Sequence, residues 1–217
     1  MPRTSWKTVK APARIEFEVK KSVFIADVAP VTSGEEATDF LRKIKKEFPD
    51  ARHHVYAYRV GGQTMEQRYS DDGEPSGTAG MPVLDVLLHQ DLEDVIIVVT
   101  RYFGGILLGT GGLTRAYSTS ASMGVSKAEP VKMEMLSLFH IKVDYSMSEK
   151  LQYAARKKGY ILGEVLYEAS PIIPVSCRKE EKEDMITFVN DVTSARAEIE
   201  YQGEVQTAIP LDDDPSD

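Results

Sequence analysis

Apolar residues recur along this chain with two periods, and the switches between them divide it into elements. Ile15, Phe17 and Val19 alternate with Glu16 and Glu18, so Arg14–Val19 is expected to be a half-buried strand with Ser22–Val28 as its hairpin partner. Ala37, Phe40, Leu41, Ile44 and Phe48 then fall at helical spacing, with Lys43, Lys45 and Lys46 between them. That predicts a helix over Gly34–Phe48, capped by Thr32 or Ser33 and stopped by Pro49. His53–Val60 alternates again and reads as a strand, which Gly61-Gly62 turns into a short return strand, Met65–Ser70. Ser70–Gly77 is turn chemistry throughout. Thr78 or Gly80 opens a helix carrying Val83, Leu84, Val86, Leu87 and Leu88, with Pro82 tolerated in its first turn. Val95–Thr100 is a continuous apolar or β-branched run, the pattern of a strand buried on both faces. A glycine cluster and a small-residue helix from Leu113 to about Lys127 follow it.

The character changes near Pro130. Val131–Tyr145 reads as one or two strands, and Ser146 or Ser148 caps a helix that reaches Lys158 and ends at Gly159. Ser170-Pro171 separates strands Ile161–Glu168 and Ile172–Arg178, and a helix over Glu180–Ser194 precedes a strand over Glu198–Ile209. The order β-α-β-β-α-β is that of the ferredoxin-like fold. The expectation is an α+β protein of two domains, 1–130 and 131–211, with an acidic tail at 212–217; a chain of 217 residues has room for two cores.

Composition then narrows the function classes. No apolar run approaches the roughly 18 residues needed to span a membrane, and the N-terminal stretch lacks the apolar segment of a secretory signal. A single cysteine, Cys177, rules out an internal disulfide framework and a multi-cysteine zinc site. Together these point to the cytoplasm. Net charge is −8, of which residues 1–134 carry −1 and residues 135–217 carry −7. Nucleic-acid binding would therefore depend on a local basic patch rather than on the overall field.

Candidate chemistry is confined to three stretches. Ala51–Tyr58 places His53 and His54 side by side on a strand, where adjacent side chains point to opposite faces and do not share a metal. No metal site and no cofactor are expected. Ser70–Pro82 gathers Asp71, Asp72 and Glu74 among turn residues. These carboxylates either cap the turn, or hold Mg²⁺ around a phosphate, or meet an arginine. Thr100–Arg115 runs from the buried strand through Arg101, Gly104, Gly105, Gly109, Gly111 and Gly112 to Arg115. Such glycines either permit close packing or aim backbone N–H groups at an anion at a helix N-terminus. No Gly-Lys-Ser/Thr follows, so this is not a Walker loop, and Thr114 stands where a dinucleotide fingerprint requires a third glycine or alanine. Cys177, on a strand of the acidic half, reads as a small core residue rather than a nucleophile.

The strings His54-Val55-Tyr56-Ala57-Tyr58, Ser70-Asp71-Asp72-Gly73-Glu74-Pro75-Ser76-Gly77-Thr78-Ala79-Gly80 through Pro82, and Thr100-Arg101-Tyr102-Phe103-Gly104-Gly105-Ile106 through Gly109 resemble the motifs of the IMPACT (YigZ-type) family over about residues 15–128. The resemblance implies a first domain like the second domain of small-subunit ribosomal protein five. It implies a second, ferredoxin-like domain similar to domains of elongation factor G. The resemblance also implies that eukaryotic relatives act in translational control by competing for the activator of an initiation-factor kinase, through a different, N-terminal domain that is not expected here, so that partner does not carry over. What the resemblance implies here is a non-enzymatic regulator linked to translation that binds RNA, the ribosome or a translation factor. The alternative is a Mg-dependent enzyme acting on a phosphorylated small molecule through Asp71, Asp72, Glu74, Arg101, Arg115 and the glycine turn. Under either reading the three motifs form one cleft, with His54 in it.

Overall fold

The computed structural model describes residues 3–62 and 64–211; the expected acidic tail at 212–217 lies outside the described residues. The chain divides into two units, one running to Met133 and taking in the segment from Ala208, the other Glu134–Thr207.

The first unit contains β1 (Ser5–Val9), β2 (Ala13–Val19), β3 (Ser22–Pro30), α1 (Gly34–Glu47), β4 (His53–Val60), β5 (Glu66–Ser70), α2 (Gly80–His89), β6 (Val95–Tyr102) and α3 (Thr110–Lys127). Its five-stranded sheet has the order β2-β3-β6-β4-β5, with every neighbouring pair antiparallel. The central β6 explains its own composition. Val95, Ile97 and Val99 pack with Phe24, Val55, Leu84, Leu87 and Tyr117 on the side covered by α2 and α3. Ile96 and Val98 pack with Tyr58, Ala37 and Ile44 on the side covered by α1. A strand with helices on both faces is apolar along most of its length, and the two polar residues near the end of β6, Thr100 and Arg101, are buried as well.

Local chemistry sets the helix ends. Ser33 takes the N-cap of α1, its hydroxyl accepting from the Glu36 N–H at 3.1 Å, while the Glu36 carboxylate accepts from the Thr32 N–H at 2.7 Å. The helix α3 starts earlier than the small-residue run suggests, at Thr110, because Gly109 (φ 71°) serves as its N-cap. One strand escaped the pattern altogether. Ser-Trp-Lys-Thr-Val of β1 is short and mixed; it pairs with the strand Pro130–Lys142, and a parallel bridge from Lys7 to Leu92 and a bond from the Glu93 N–H to the Lys7 carbonyl hold it further.

The second unit is built from β7 (Pro130–Lys142), within which the chain passes out of the first unit, α4 (Tyr145–Lys158), β8 (Ile161–Leu162), β9 (Leu166–Tyr167), β10 (Pro171–Cys177), α5 (Lys182–Thr193) and β11 (Glu198–Pro210). Strands β11, β7, β10 and β8 lie side by side in that order, with β9 also on β10. Phe139, Ile141, Ile173 and Val175 pack against Leu151, Ala155, Met185 and Val189 of the two helices. The expected strand Ile161–Glu168 is instead two short pieces. Pro174 of the neighbouring β10 has no N–H to offer, and Gly163 turns in to give its own N–H to the Pro174 carbonyl at 2.9 Å. Asp144, not Ser146 or Ser148, precedes α4, and Gly159 ends it at φ 93°. Cys177 is buried in this core, and burial pushes its thiol up to about 11. No helix among the described residues is long and apolar enough to cross a membrane.

Candidate functional site

Strand parity builds the site. Arg101 on β6 lies opposite His53 on β4 and opposite Phe24 on β3, so all three share the face that α3 covers. His54 lies opposite Thr100 and takes the other face. Its Nε2 meets the Phe48 carbonyl at 3.0 Å at the end of α1. Burial lowers its basicity, so at neutral pH it is an uncharged donor tying α1 to the sheet. His53, which the sequence reading left out of the expected cleft in favour of His54, faces the site.

On the shared face Arg101 is only 7 % exposed. Its Nη1 donates to Glu74 Oε1 at 2.6 Å, and the Tyr117 hydroxyl donates to the same oxygen at 2.7 Å. The guanidinium carbon lies 5.5 Å from the centre of the Phe24 ring and 5.6 Å from that of Phe103, within cation–π range. Phe24 in turn meets Tyr117 edge to face at 5.1 Å. Burial, together with the charge of Glu74 and the hydrogen bond to it, pushes the Tyr117 hydroxyl far above its ordinary value. Tyr117 is therefore a fixed donor. A buried charge pair of this kind holds only as a unit, since either partner alone would be an uncompensated ion.

A cleft of about 650 Å³ opens beside the pair. Glu74, Arg101 and His53 line it together with Tyr102, Phe103, Leu107, Leu108 and Leu113, with Asp50 and Arg52, and with Gly109 and Thr110 at the start of α3. Leu107 is 82 % exposed and Phe103 55 %. Of the residues the sequence pointed to, Glu74, Arg101 and Gly109 line this cleft; the others do not. Asp71 closes the turn before α2, its carboxylate accepting from the N–H groups of Gly77, Ala79 and Gly80 at 2.9, 3.0 and 2.8 Å. Burial opposes ionisation there, but the three backbone donors outweigh it and hold Asp71 below the ordinary aspartate value. Asp72 accepts from the His54 N–H at 2.7 Å and from Lys45 at 3.1 Å.

The glycines divide by role. Gly104 lies so close to the Lys21–Ser22 backbone that a Cβ would overlap it, and Gly105 has φ 82°. Gly111 has open space around it. Gly112 and Arg115 border a separate cavity of about 180 Å³ with Lys20. Among the described residues no group of three or more His, Cys, Asp or Glu is placed to hold a metal ion. Tyr117 and Leu107 escaped the sequence reading, and Phe103 was quoted in the third motif without a role in the cleft. Their signals were a lone aromatic in a helix of small residues and an apolar Phe-Gly-Gly-Ile-Leu-Leu-Gly run, too long for a turn that only packs.

Residues 20–125 match the family model for the Impact N-terminal domain. The IMPACT family member YvyE of Bacillus subtilis (strain 168) is 36 % identical over 201 residues, covering 93 % of this chain and 92 % of that protein. The IMPACT family member YigZ of Escherichia coli (strain K12) is 38 % identical over 143 residues, 65 % of this chain and 70 % of that one. A crystal structure described as that of a hypothetical protein superposes with a TM-score of 0.58 at 29 % identity, covering 91 % of this chain and 97 % of that one.

Proposed function

The chain belongs to the IMPACT family, and from that premise we propose that it is a translation-linked regulator acting by binding, with RNA, the ribosome or a translation factor docking at the cleft beside β6. Family membership supports the link to translation. The observation that carries the binding reading is the loop between β6 and α3. Phe103, Ile106 and Leu107 all stand exposed there, beside a cleft backed by a buried Arg101–Glu74 pair. A contiguous apolar patch on a rigid, charge-pinned support is what a partner covers.

The enzymatic alternative needs Asp71, Asp72 and Glu74 as Mg²⁺ ligands, and their geometry speaks against it. Asp71 is occupied by three backbone donors, Asp72 by His54 and Lys45, and Glu74 by Arg101 and Tyr117. Co-sedimentation of the purified chain with ribosomes, and pull-down of purified initiation and elongation factors, test the binding reading. Retention by one of these components is expected, with loss of about tenfold or more on Leu107→Asp, an exposed position that leaves the core untouched. Equal retention of the variant, or retention of neither, would sink it. Any RNA component should weaken steeply with salt, because few basic side chains are available to neutralise phosphates.

A further inference from the structure

We propose that the cleft binds a carboxylate on an apolar body, and that its occupant is the C-terminal end of a partner protein. The terminal carboxylate would rest on Arg101 and the first turn of α3, and the last side chain would lie among Phe103, Leu107, Leu108 and Leu113. This rests on the binding reading above and names the chemistry of its partner.

Two independent features ask for an anion at the same place. Arg101 lines the cleft while only 7 % exposed; Glu74 takes its Nη1, yet its buried Nε has no hydrogen-bond partner among the described residues. A buried donor without an acceptor calls for an explanation, and an anion entering the cleft beside it is the one the geometry offers. The unused side of the guanidinium fork is suited to a second carboxylate, held side-on. The other feature is the start of α3, a helix of 18 residues whose N-cap is Gly109 and therefore supplies no side-chain acceptor. Gly109 and Thr110 line the cleft, so the start of α3, with the N–H of its first residue Thr110 and the positive end of the helix dipole, lies at its wall.

The charge count separates a single carboxylate from a polyanion. Asp50 and Glu74 balance Arg52 and Arg101 in the lining, and the chain as a whole is at −8. A strand of phosphates would meet repulsion with little to neutralise it. A monoanion needs only the one unmet donor and the helix terminus. The rest of the cleft is apolar, and its volume of about 650 Å³ lies in the range of sites that enclose a ligand of several groups. Capture of a terminal carboxylate by backbone N–H groups, with the last side chain in an apolar pocket, is a recurring mode of peptide recognition.

The test uses the intact chain and fluorescein-labelled hexapeptide pools, random except for a last residue of Leu or Phe, made as free acids and as carboxamides. Anisotropy should show the free acids binding at least about tenfold more tightly than the amides. Arg101→Lys, which keeps a charge for Glu74 but loses the fork, should abolish the difference, and Leu107→Asp should remove binding of both pools. Free leucine or N-acetyl-leucine should compete far more weakly than the peptides, which distinguishes a protein terminus from a small-molecule carboxylate. Equal binding of acid and amide, or tighter binding of a short single-stranded RNA than of any peptide pool, would overturn the proposal. The acid–amide comparison needs no variant, so it stands even if Arg101→Lys fails to fold. Ribosome and factor retention is read separately. Loss of carboxylate preference with retention intact sinks this inference alone, and carboxylate binding without retention sinks the link to translation alone.

Discussion

Removing the Glu74 carboxylate strands the Arg101 guanidinium in a site where it is 7 % exposed. Glu74→Ala should therefore cost about 3–5 kcal/mol, read by urea unfolding, since one partner of a buried pair is left uncompensated. Tyr117→Phe removes one hydrogen bond to the same oxygen and should cost about 1–2 kcal/mol. A Glu74→Ala loss below that of Tyr117→Phe would mean that water reaches the pair. Asp71 makes a different prediction. Its carboxyl is held below the ordinary value in the folded chain. It therefore contributes stability above the ordinary aspartate range, and that contribution is lost as pH falls through the folded-state value. Asp71→Asn should cost about 1–2 kcal/mol at neutral pH, the turn being partly open to water, and should flatten the acid limb of a stability–pH curve. An unchanged acid limb would remove the three backbone N–H groups from the account. The sequence marked Asp71, Asp72 and Glu74 as a group, but only the fold separates a turn-closer, a strand clamp and half of a buried pair.

At the scale of elements, the stretch from β6 to α3 combines close packing with an open helix start. Gly104 sits against the turn between β2 and β3, where a Cβ would overlap the Lys21 backbone. Gly104→Ala should cost about 1–3 kcal/mol, because the hairpin must shift. Gly111→Ala meets open space and should stay within about 0.5 kcal/mol of the parent. Thermal melts of the two variants side by side check this, and equal losses would mean that glycine identity in the turn serves conformation alone. The glycine cluster was legible as either packing or anion binding. The structure assigns the first role to Gly104, and Gly109 supplies the turn that opens α3 towards the cleft. Hydrophobic period located nearly every element, because burial of a strand or helix face imprints itself on the local sequence. It failed at β1, where five residues of mixed character are held by pairing with β7 and a bridge to Leu92, both distant in sequence. It failed again at Ile161–Glu168, where the interruption depends on a proline in a neighbouring strand.

Over the whole molecule, the division into two units leads us to expect two unfolding transitions. Scanning calorimetry should give a calorimetric enthalpy larger than the van't Hoff value. The segment from Ala208 groups with the first unit and Ile209 is buried, so Ile209→Asp should lower one transition and leave the other in place. A single two-state transition for the parent chain, or one that moves as a whole in the variant, would contradict that division. Some of this molecule was settled by the chain alone: an α+β composition of elements, a central strand buried on both faces, and two adjacent histidines bound to opposite faces. Those features follow from periods of 2 and 3.6 residues, which are local. The site was not settled there. Glu74 meets Arg101 across 27 residues and Tyr117 across 43, and the pairing of His53 with Arg101 depends on the register between β4 and β6. Register and helix placement arise from packing between distant segments. Only the tertiary structure therefore decided which of the marked carboxylates holds the arginine, and that the apolar loop stands open beside it.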